Sequence, residues 1–306
     1  MMDSLSNDRT AAFETLRSRF FGIAYRMLGS VEDAEDVVQE AYLRWHQAKA
    51  QVVRSAEAWL VAVVTRLAID RLRRATTERE AYHGSWLPEP MATPVVFQAD
   101  KRAELSSDLS MVFLVLLERL APDERAAFLM REVFGTDYAE IARVLERSES
   151  ACRQIVHRAR TRVRSDARRV AAPPDAQERL VEQFVTALAA EDEDALLAVF
   201  SDEVVWMSDG GGKAPAISQT VSGAAEVARL AIRFERMGRG RIRHEVAWIN
   251  GEPAVLTLLG DRTAFTTSFA LDDGRISAVY RVLNPDKLQH VGPLPVGDWR
   301  DARRDP

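Results

Sequence analysis

Apolar residues recur at helical spacing through most of residues 10–172, with one interruption at about 76–105. Three prolines fall within seven residues of that interruption. Proline lacks an amide hydrogen and clashes with the preceding turn, so no helix is expected to run through it. The pattern predicts two helical blocks, and the two prolines within residues 171–175 predict a second boundary.

Beyond residue 175 the pattern changes from helical to mixed. It predicts helices at 178–191, 192–200 and 223–237 and a strand at 204–207. Alternating apolar and polar residues then predict four strands, at about 242–250, 253–260, 263–271 and 275–283. Asp272-Asp-Gly-Arg275 is typical of a hairpin turn. Helices followed by antiparallel strands indicate an α+β domain in which a curved sheet wraps over helices.

Residues 137–164 predict two helices joined by a turn of three or four residues. One face of the second helix is apolar, formed by Cys152, Ile155, Val156, Ala159 and Val163. The opposite face carries Ser150, Arg153, Gln154, His157, Arg158 and Thr161. Side chains of these types contact base edges and phosphates when a helix enters the DNA major groove. An ordinary amphipathic helix with a solvated basic face would give the same pattern.

The net charge of −5 is unevenly distributed along the chain. Residues 1–172 carry a net charge of +1, and residues 173–306 carry −6. Nine arginines and only three acids occupy residues 143–169. This concentration of positive charge on one helical segment is what a phosphate-facing element requires.

Two other helical segments carry strong charge. Ser30 is the predicted N-cap of a helix whose polar positions are Glu32, Asp33, Glu35, Asp36, Gln39 and Glu40. The helix dipole favours acids in the first turn only, so Glu40 needs another explanation, either a solvated face or a docking face. The next helix has Arg66, Arg71, Arg73 and Arg74 towards its C-terminal end. These arginines either complement the dipole or face a nucleic-acid backbone.

Composition excludes several other classes of protein. There is no run of about 18 apolar residues, no secretion signal at the N-terminus and only one cysteine, so a cytoplasmic protein without a membrane partner is expected. No His, Asp or Glu cluster has metal-ligand spacing, and no metal or cofactor is expected. Asp209-Gly-Gly-Gly-Lys213 lacks the spacing of a nucleotide-binding loop and is either a mobile loop or a partner contact.

Together the helical motifs resemble regions 2 and 4 of the extracytoplasmic-function (ECF) sigma factors of bacterial RNA polymerase. The resemblance rests on residues 33–45, 59–74, 120–125 and the helix-turn-helix, in that order. Three further motifs resemble the ECF subfamily that has a C-terminal SnoaL-like domain. They are Trp86-Leu87-Pro88-Glu89-Pro90, Asp209-Gly210-Gly211-Gly212-Lys213 and Asn284-Pro285-Asp286-Lys287-Leu288.

The resemblance implies a role for each motif. Asp36, Gln39 and Glu40 would dock on the clamp helices of the polymerase β′ subunit, and the β subunit would also be a partner. The −10 promoter element would be bound by the loop Gln51, Val52, Val53, Arg54 and Ser55 and by the four arginines at 66–74. The 149–164 helix would read the −35 element through the six polar residues named above. Many ECF factors have Asn where this chain has Arg66, so −10 specificity does not transfer in detail.

The predicted fold is therefore multidomain, with two all-α sigma domains followed by an α+β NTF2-like (SnoaL-like) cone. The predicted bounds are 10–75 for region 2, 76–105 for a linker, 106–170 for region 4, 176–290 for the SnoaL-like domain and 291–306 for a tail. The predicted function is a sigma factor, not an enzyme, regulated in cis by its C-terminal domain through the three subfamily motifs. An unidentified small ligand or protein signal would act on that domain.

Two alternatives stay open at this point. The first is a free-standing helix-turn-helix regulator with a small-molecule-binding NTF2-like domain. The second is an NTF2-like enzyme that acquired a DNA-binding module, in which Asp209 or His244 would be catalytic. A core-polymerase pull-down would test the first alternative, and turnover lost on mutating those two residues would support the second.

Overall fold

The computed structural model describes residues 2–48, 55–92, 109–167 and 174–292. The chain divides into two compact units. The first consists of Met1–Ala81 and Leu116–Ser165, and the second of Tyr82–Val115 and Asp166–Pro306. Within the described ranges, no helix is both long enough and apolar enough to cross a membrane.

The described elements follow the order that the sequence predicts. The helices are α1 (Met2–Leu28), α2 (Val31–Gln47), α3 (Ala56–Glu80), α4 (Met111–Leu117), α5 (Pro122–Phe128), α6 (Tyr138–Leu145), α7 (Glu149–Ala167), α8 (Pro174–Ala189), α9 (Glu193–Val199) and α10 (Ala224–Gly238). A π-helical turn (Leu129–Val133) follows α5, and a 3-10 turn (Pro285–Leu288) follows the last strand. The strands are β1 (Phe200–Asp209), β2 (Val221–Ser222), β3 (Ile242–Ile249), β4 (Glu252–Leu259), β5 (Arg262–Asp272) and β6 (Arg275–Val282).

In the first unit, α1, α2 and α3 pack against one another, and α3 also contacts α5 and α6. The apolar side of α2 is buried, with Val37 and Trp45 among the core residues. Ser30 caps α2 as predicted, and its side chain accepts a hydrogen bond from the Asp33 amide at 3.2 Å. The acids of α2 therefore remain on the surface because the opposite side of the helix forms the core.

Helix α3 continues to Glu80, past residue 76, where the helical pattern was expected to stop. Arg79 donates to the Leu28 carbonyl oxygen and pairs with Glu118, and these contacts hold the last turn of α3 within the first unit. The prolines that predicted the interruption begin only at Pro88. The predicted start of the next helix at 178 is also late, since α8 begins at Pro174. Proline suits the first helical position, where its missing amide hydrogen costs nothing.

The second unit contains a six-stranded sheet in the order β2-β1-β6-β5-β4-β3. Strands β3 to β6 pair antiparallel in sequence, as predicted, while β1 lies parallel to β6. One side of the sheet packs on helices, around a core that includes Phe184, Trp206 and Phe269. The fold is of the expected class, a helical part followed by an α+β sheet domain.

The sequence predicted one detail of this sheet correctly and another only in part. The hairpin at Asp272–Arg275 is confirmed, with Asp272 paired to Arg275 and positive φ values of 48° at Asp273 and 73° at Gly274. Such values are those of the tight turns that match strand twist. The prediction for β1 was too short, because Phe200 already pairs with Ile276 of β6.

Candidate functional site

The helix-turn-helix is formed by α6, the turn 146–148 and α7. The Asp137 side chain caps α6 by accepting from the Glu140 amide at 2.7 Å, and Glu146 ends it in the left-handed conformation at φ 55°. The Ser148 hydroxyl accepts from the Ala151 amide at 3.2 Å at the start of α7. All five predicted apolar residues of α7 are buried, at Cys152, Ile155, Val156, Ala159 and Val163. All six predicted DNA-facing residues are exposed, at Ser150, Arg153, Gln154, His157, Arg158 and Thr161.

Several arginines of α7 have acidic neighbours within the first unit. Arg153 pairs with Glu149 at 2.8 Å. Arg160 and Arg162, which the sequence analysis did not single out, pair at 2.6 Å with Glu132 and Glu124. Exposed ion pairs of this kind contribute about 0–1 kcal/mol each. Phosphate groups can therefore compete for the same guanidinium groups at low cost.

The acidic helix α2 presents a mixed charged and apolar face. Asp36 and Gln39 are exposed, and Glu40 pairs with Arg44 at 2.9 Å. Leu43 lies one turn further along the same face and is 48% exposed. Leu43 was not predicted, although it lies three residues after Glu40 and seven after Asp36, on the same face of the helix.

The four predicted −10 arginines on α3 are all exposed. Arg66 donates to the Arg143 carbonyl oxygen at 2.8 Å, and Arg73 pairs with Asp123 at 2.8 Å. Arg71 donates to Asp33 at 2.8 Å, and Arg74 donates to the Asp70 carbonyl oxygen at 3.3 Å. Burial acts to raise the pKa of Asp123, but hydrogen bonds from Arg147 and Arg73 outweigh it and lower that pKa.

The predicted loop of the −10 site is described only at its last residue. Ser55 is the N-cap of α3, and its hydroxyl accepts from the Ala58 amide at 3.3 Å. Gln51, Val52, Val53 and Arg54 lie outside the described residues. Their proposed contact with a promoter base remains a prediction.

The three subfamily motifs meet within the second unit around the buried carboxylate of Asp209. Its Oδ1 accepts from the Tyr82 hydroxyl at 2.6 Å. Its Oδ2 accepts from the Leu87 amide at 2.9 Å and from Lys287 Nζ at 2.7 Å. Lys287 also lies 4.0 Å from the centroid of the Trp86 ring. We call Trp86–Pro90 the strap, and Leu87, Pro88, Glu89 and Pro90 are buried within it.

Glycine is required in the loop that follows Asp209. Gly211 has φ 58°, and a Cβ atom there would collide with Asn284 and lie 2.8 Å from the Tyr82 hydroxyl. Asn284 donates to that hydroxyl at 2.9 Å. Burial, followed by the hydrogen bond to Asp209, raises the pKa of Tyr82 above its usual range. Tyr82 was missed from the sequence because nothing in its spacing links it to residues more than a hundred positions away.

The remaining motif residues shape this cluster. The Gly210 carbonyl oxygen accepts from the amides of Lys213 and Ala214, and Gly212 faces His83. Lys213 forms an exposed pair with Asp286, and the 3-10 turn Pro285–Leu288 buries Leu288.

Beyond the strap, the chain joins the edge of the sheet. The amide of Met91 donates to the Asn250 side chain at 3.0 Å, and the amide of Asn250 donates to the Met91 carbonyl oxygen at 2.8 Å. Ala92 forms an antiparallel bridge with Ile249 of β3.

The two candidate catalytic groups, Asp209 and His244, both have hydrogen-bond partners in the structure. Asp209 is occupied by the strap, and His244 is hydrogen-bonded to Glu235 and Thr257, both at 2.8 Å. Among the described residues, no group of three His, Cys, Asp or Glu side chains is placed to hold a metal ion.

Comparison with known proteins agrees with this geometry. Residues 12–78 match the family Sigma-70 region 2, and residues 110–163 match Sigma-70, region 4, so the helical part is that of a sigma factor. The ECF RNA polymerase sigma factor SigJ of Mycobacterium tuberculosis (strain ATCC 25618 / H37Rv) is 37% identical over 90% of this chain and 92% of its own length. The chain therefore belongs to the ECF RNA polymerase sigma factors, as the sequence motifs indicated.

One further relative and one solved structure also match over both units. A probable ECF RNA polymerase sigma factor, SigI of the same organism, is 29% identical over 91% of this chain and 94% of its own length. The crystal structure of M. tuberculosis SigJ is similar with a TM-score of 0.74 and 33% sequence identity, covering 92% of this chain and 98% of that one. These relatives favour a sigma factor over a free-standing regulator.

Proposed function

We propose that this sigma factor docks on core RNA polymerase through α2. It reads −35 DNA through α7, and it reads −10 DNA through the loop before α3 and the arginines of α3. Its C-terminal domain regulates it in cis. The observation that carries this proposal is the separation of chemistry on α7, where five apolar residues are buried and six polar residues are exposed. Sigma factors are initiation factors, and we propose no catalytic role for the C-terminal domain.

The exposed face of α7 is suited to DNA because arginine and glutamine side chains reach base edges while flanking arginines reach phosphates. Arg153 also lies 5.0 Å from the centroid of the Tyr138 ring, which limits the orientations of its guanidinium. A limited set of orientations lowers the entropy lost when a base is bound. Arg153 is therefore our candidate for the base contact and Arg158 for the phosphate contact.

We expect Arg153→Ala to weaken binding to −35 DNA by about 1–3 kcal/mol and to relax specificity at one base pair. We expect Arg158→Ala to weaken binding to all sequences alike and to lower the salt slope by about 1. Fluorescence anisotropy with a set of single-base −35 variants, at several salt concentrations, measures both effects. Wild-type behaviour of both variants would show that the DNA-reading face has been misassigned.

The arginines of α3 must exchange partners before they bind a promoter strand. Arg66 and Arg73 engage groups of the region 4 segment of the same unit. Because these are exposed contacts, each is worth no more than about 1 kcal/mol. A promoter strand, whose phosphates offer stronger charge-assisted hydrogen bonds, can displace them.

Cis-regulation is supported by where the strap lies in the sequence. The strap falls between residues 12–78 and 110–163, the two segments that match the sigma regions. Asp209 and Lys287 hold it on the C-terminal sheet, and Asn250 holds its continuation at Met91. A domain that fixes part of the connection restricts the separation of the two DNA-reading regions. The domain changes activity only to the extent that it binds more tightly when the two DNA-reading regions have one separation than when they have another.

Run-off transcription with core polymerase tests this role, using full-length protein and chains ending at Arg169 and at Val282. The chain ending at Val282 loses Asn284 and Lys287 but keeps Asp209, so the strap is loosened, and we expect transcription to rise. The chain ending at Arg169 loses the whole domain, and we expect transcription to fall. If Trp86→Ala and both truncations transcribe like the full chain, cis-regulation is wrong.

A further inference from the structure

Arg281 occupies an unusual position in the C-terminal domain. It lies on β6 opposite Thr267 of β5 and beside Ser208 of β1, and it is only 3% exposed. Aromatic rings surround its guanidinium carbon, at centroid distances of 4.3 Å for Trp206, 4.3 Å for Phe265 and 5.4 Å for Phe234. Trp206 and Phe234 belong to the core between the sheet and its helices, so Arg281 faces that side of the sheet.

The polar atoms of this site are incompletely satisfied. Nε of Arg281 and the hydroxyl of Thr267 are buried and have no hydrogen-bond partner. The acid that acts on Arg281 through space is Glu235. Its carboxylate is already hydrogen-bonded to Nε2 of His244 at 2.8 Å, and Nδ1 of His244 is 2.8 Å from the Thr257 hydroxyl.

This arrangement costs stability at neutral pH. Burial lowers the pKa of Arg281 to about 9. A base whose pKa is lower in the folded state than in the unfolded state destabilises the fold at any pH where it is charged in both states. For Arg281 this cost in folding free energy is therefore fully present below about pH 9, and it disappears only above the usual arginine pKa. Aromatic contacts with a cation offset only part of such a cost. Buried polar groups without partners are rare in native proteins and call for an explanation.

We propose that this face of the sheet binds a small organic monocarboxylate with a flat apolar body. The guanidinium of Arg281 presents the paired donors that match a carboxylate, and the Thr267 hydroxyl adds a third donor. Trp206, Phe234 and Phe265 form apolar walls against which a ring or conjugated chain packs. Trp206 is fully buried, while Phe234 and Phe265 are partly exposed.

The charges at this site favour a monocarboxylate over a phosphate ester. The site has one buried cation, an acid nearby at Glu235 and largely aromatic walls. Glu235 already opposes the charge of Arg281, so each negative charge that a ligand adds lacks a matching cation. A dianion adds two such charges and a monocarboxylate adds only one, so the monocarboxylate is the better ligand.

The site also lies beside the strap's anchor. Ser208, the neighbour of Arg281 in the β1–β6 register, immediately precedes Asp209. If the strap has the regulatory role proposed above, a ligand at Arg281 is placed to influence it. The binding proposal itself does not depend on that role, and it is tested by binding alone.

The test is isothermal titration calorimetry of the full-length protein with benzoate, trans-cinnamate and 2-naphthoate, each beside its neutral amide, and with inorganic phosphate. At least one carboxylate is expected to bind with one-to-one stoichiometry, and its amide at least about tenfold more weakly. Arg281→Met should weaken binding by about 10- to 100-fold, and Thr267→Val by a smaller factor. Arg275→Met alters an exposed arginine of the same strand and should bind like the wild type.

Thermal unfolding of the same variants separates a binding role from a structural one. Arg281→Met removes a buried, incompletely paired charge, so its melting temperature should equal or exceed that of the wild type. Thr267→Val, which keeps the shape of the side chain, provides a second folded variant. No carboxylate binding at millimolar concentration, equal affinity for acid and amide, tighter binding of phosphate, or undiminished affinity in Arg281→Met would each overturn the proposal.

Discussion

Replacing Asp209 by alanine is expected to lower the free energy of unfolding of the second unit by about 3–5 kcal/mol, the range for removing one partner of a buried charge pair. The Asp209 carboxylate is fully buried and accepts from the Tyr82 hydroxyl, the Leu87 amide and Lys287. Its removal leaves the Lys287 ammonium, only 11% exposed, without its counter-charge. Two further donors, the Tyr82 hydroxyl and the Leu87 amide, also lose their acceptor, which adds to the cost because buried donors without partners are expensive.

Lys213→Ala is the matched control, since it breaks the exposed pair with Asp286 in the same cluster. An exposed pair is worth at most about 1 kcal/mol, so this variant should remain close to wild type. Urea unfolding measures the stability of both variants, and hydrogen exchange at the Leu87 amide reports whether the strap is released. The structural importance of Asp209 is refuted if its alanine variant is no less stable than the Lys213 variant and protects that amide equally well.

Reversing Asp36 and Glu40 together to lysine is expected to weaken binding to core RNA polymerase by a few kcal/mol, on the order of 100-fold. Both side chains lie on the exposed face of α2 that also carries Leu43. The new lysine at position 40 would repel Arg44 one turn away, but such a pair costs only about 0.2–0.5 kcal/mol. Loss of complementary charge at an interface is therefore the larger effect.

The control for this experiment is the double variant Glu14→Lys with Glu182→Lys. Both of these acids are exposed, one on α1 and one on α8, and the net charge changes by the same amount. A difference between the two double variants therefore reports position rather than overall charge. Affinity is measured by fluorescence anisotropy at low and at physiological salt. Equal affinity of the two double variants at low salt would refute docking through α2.

The sequence predicted best those features that depend on neighbours within a few residues. The buried and exposed faces of α7 follow from helical periodicity, which places residues three and four apart on one side. The Ser30 cap and the hairpin at Asp272–Arg275 are local hydrogen-bond and φ preferences that the residue types reveal. The ECF motifs were recognisable for the same reason, since each is short and contiguous.

Boundaries were predicted less well because packing decides where an element ends. The last turn of α3 has no strong signal of its own, and Arg79 holds it through contacts with Leu28 and Glu118. The early start of α8 at Pro174 was missed because its two adjacent prolines indicated only a break. In both cases the local sequence was compatible with either a helix or a loop. Tertiary contacts selected the helix at the end of α3, and the geometry of a helix N-terminus selected it at the start of α8.

Only the tertiary structure decided how distant polar residues are combined. Tyr82, Asp209 and Lys287 are separated by 127 and 78 positions along the chain and meet in one buried cluster. In the sequence, Asp209 is only an acid beside three glycines. Arg281 is likewise only one polar residue in a predicted strand, yet the register with β1 and β5 places it among Trp206, Phe265 and Phe234. Periodicity predicts which side of a helix or strand a residue occupies. The partners on that side are set by long-range packing, because those partners belong to elements that come together only when the chain folds.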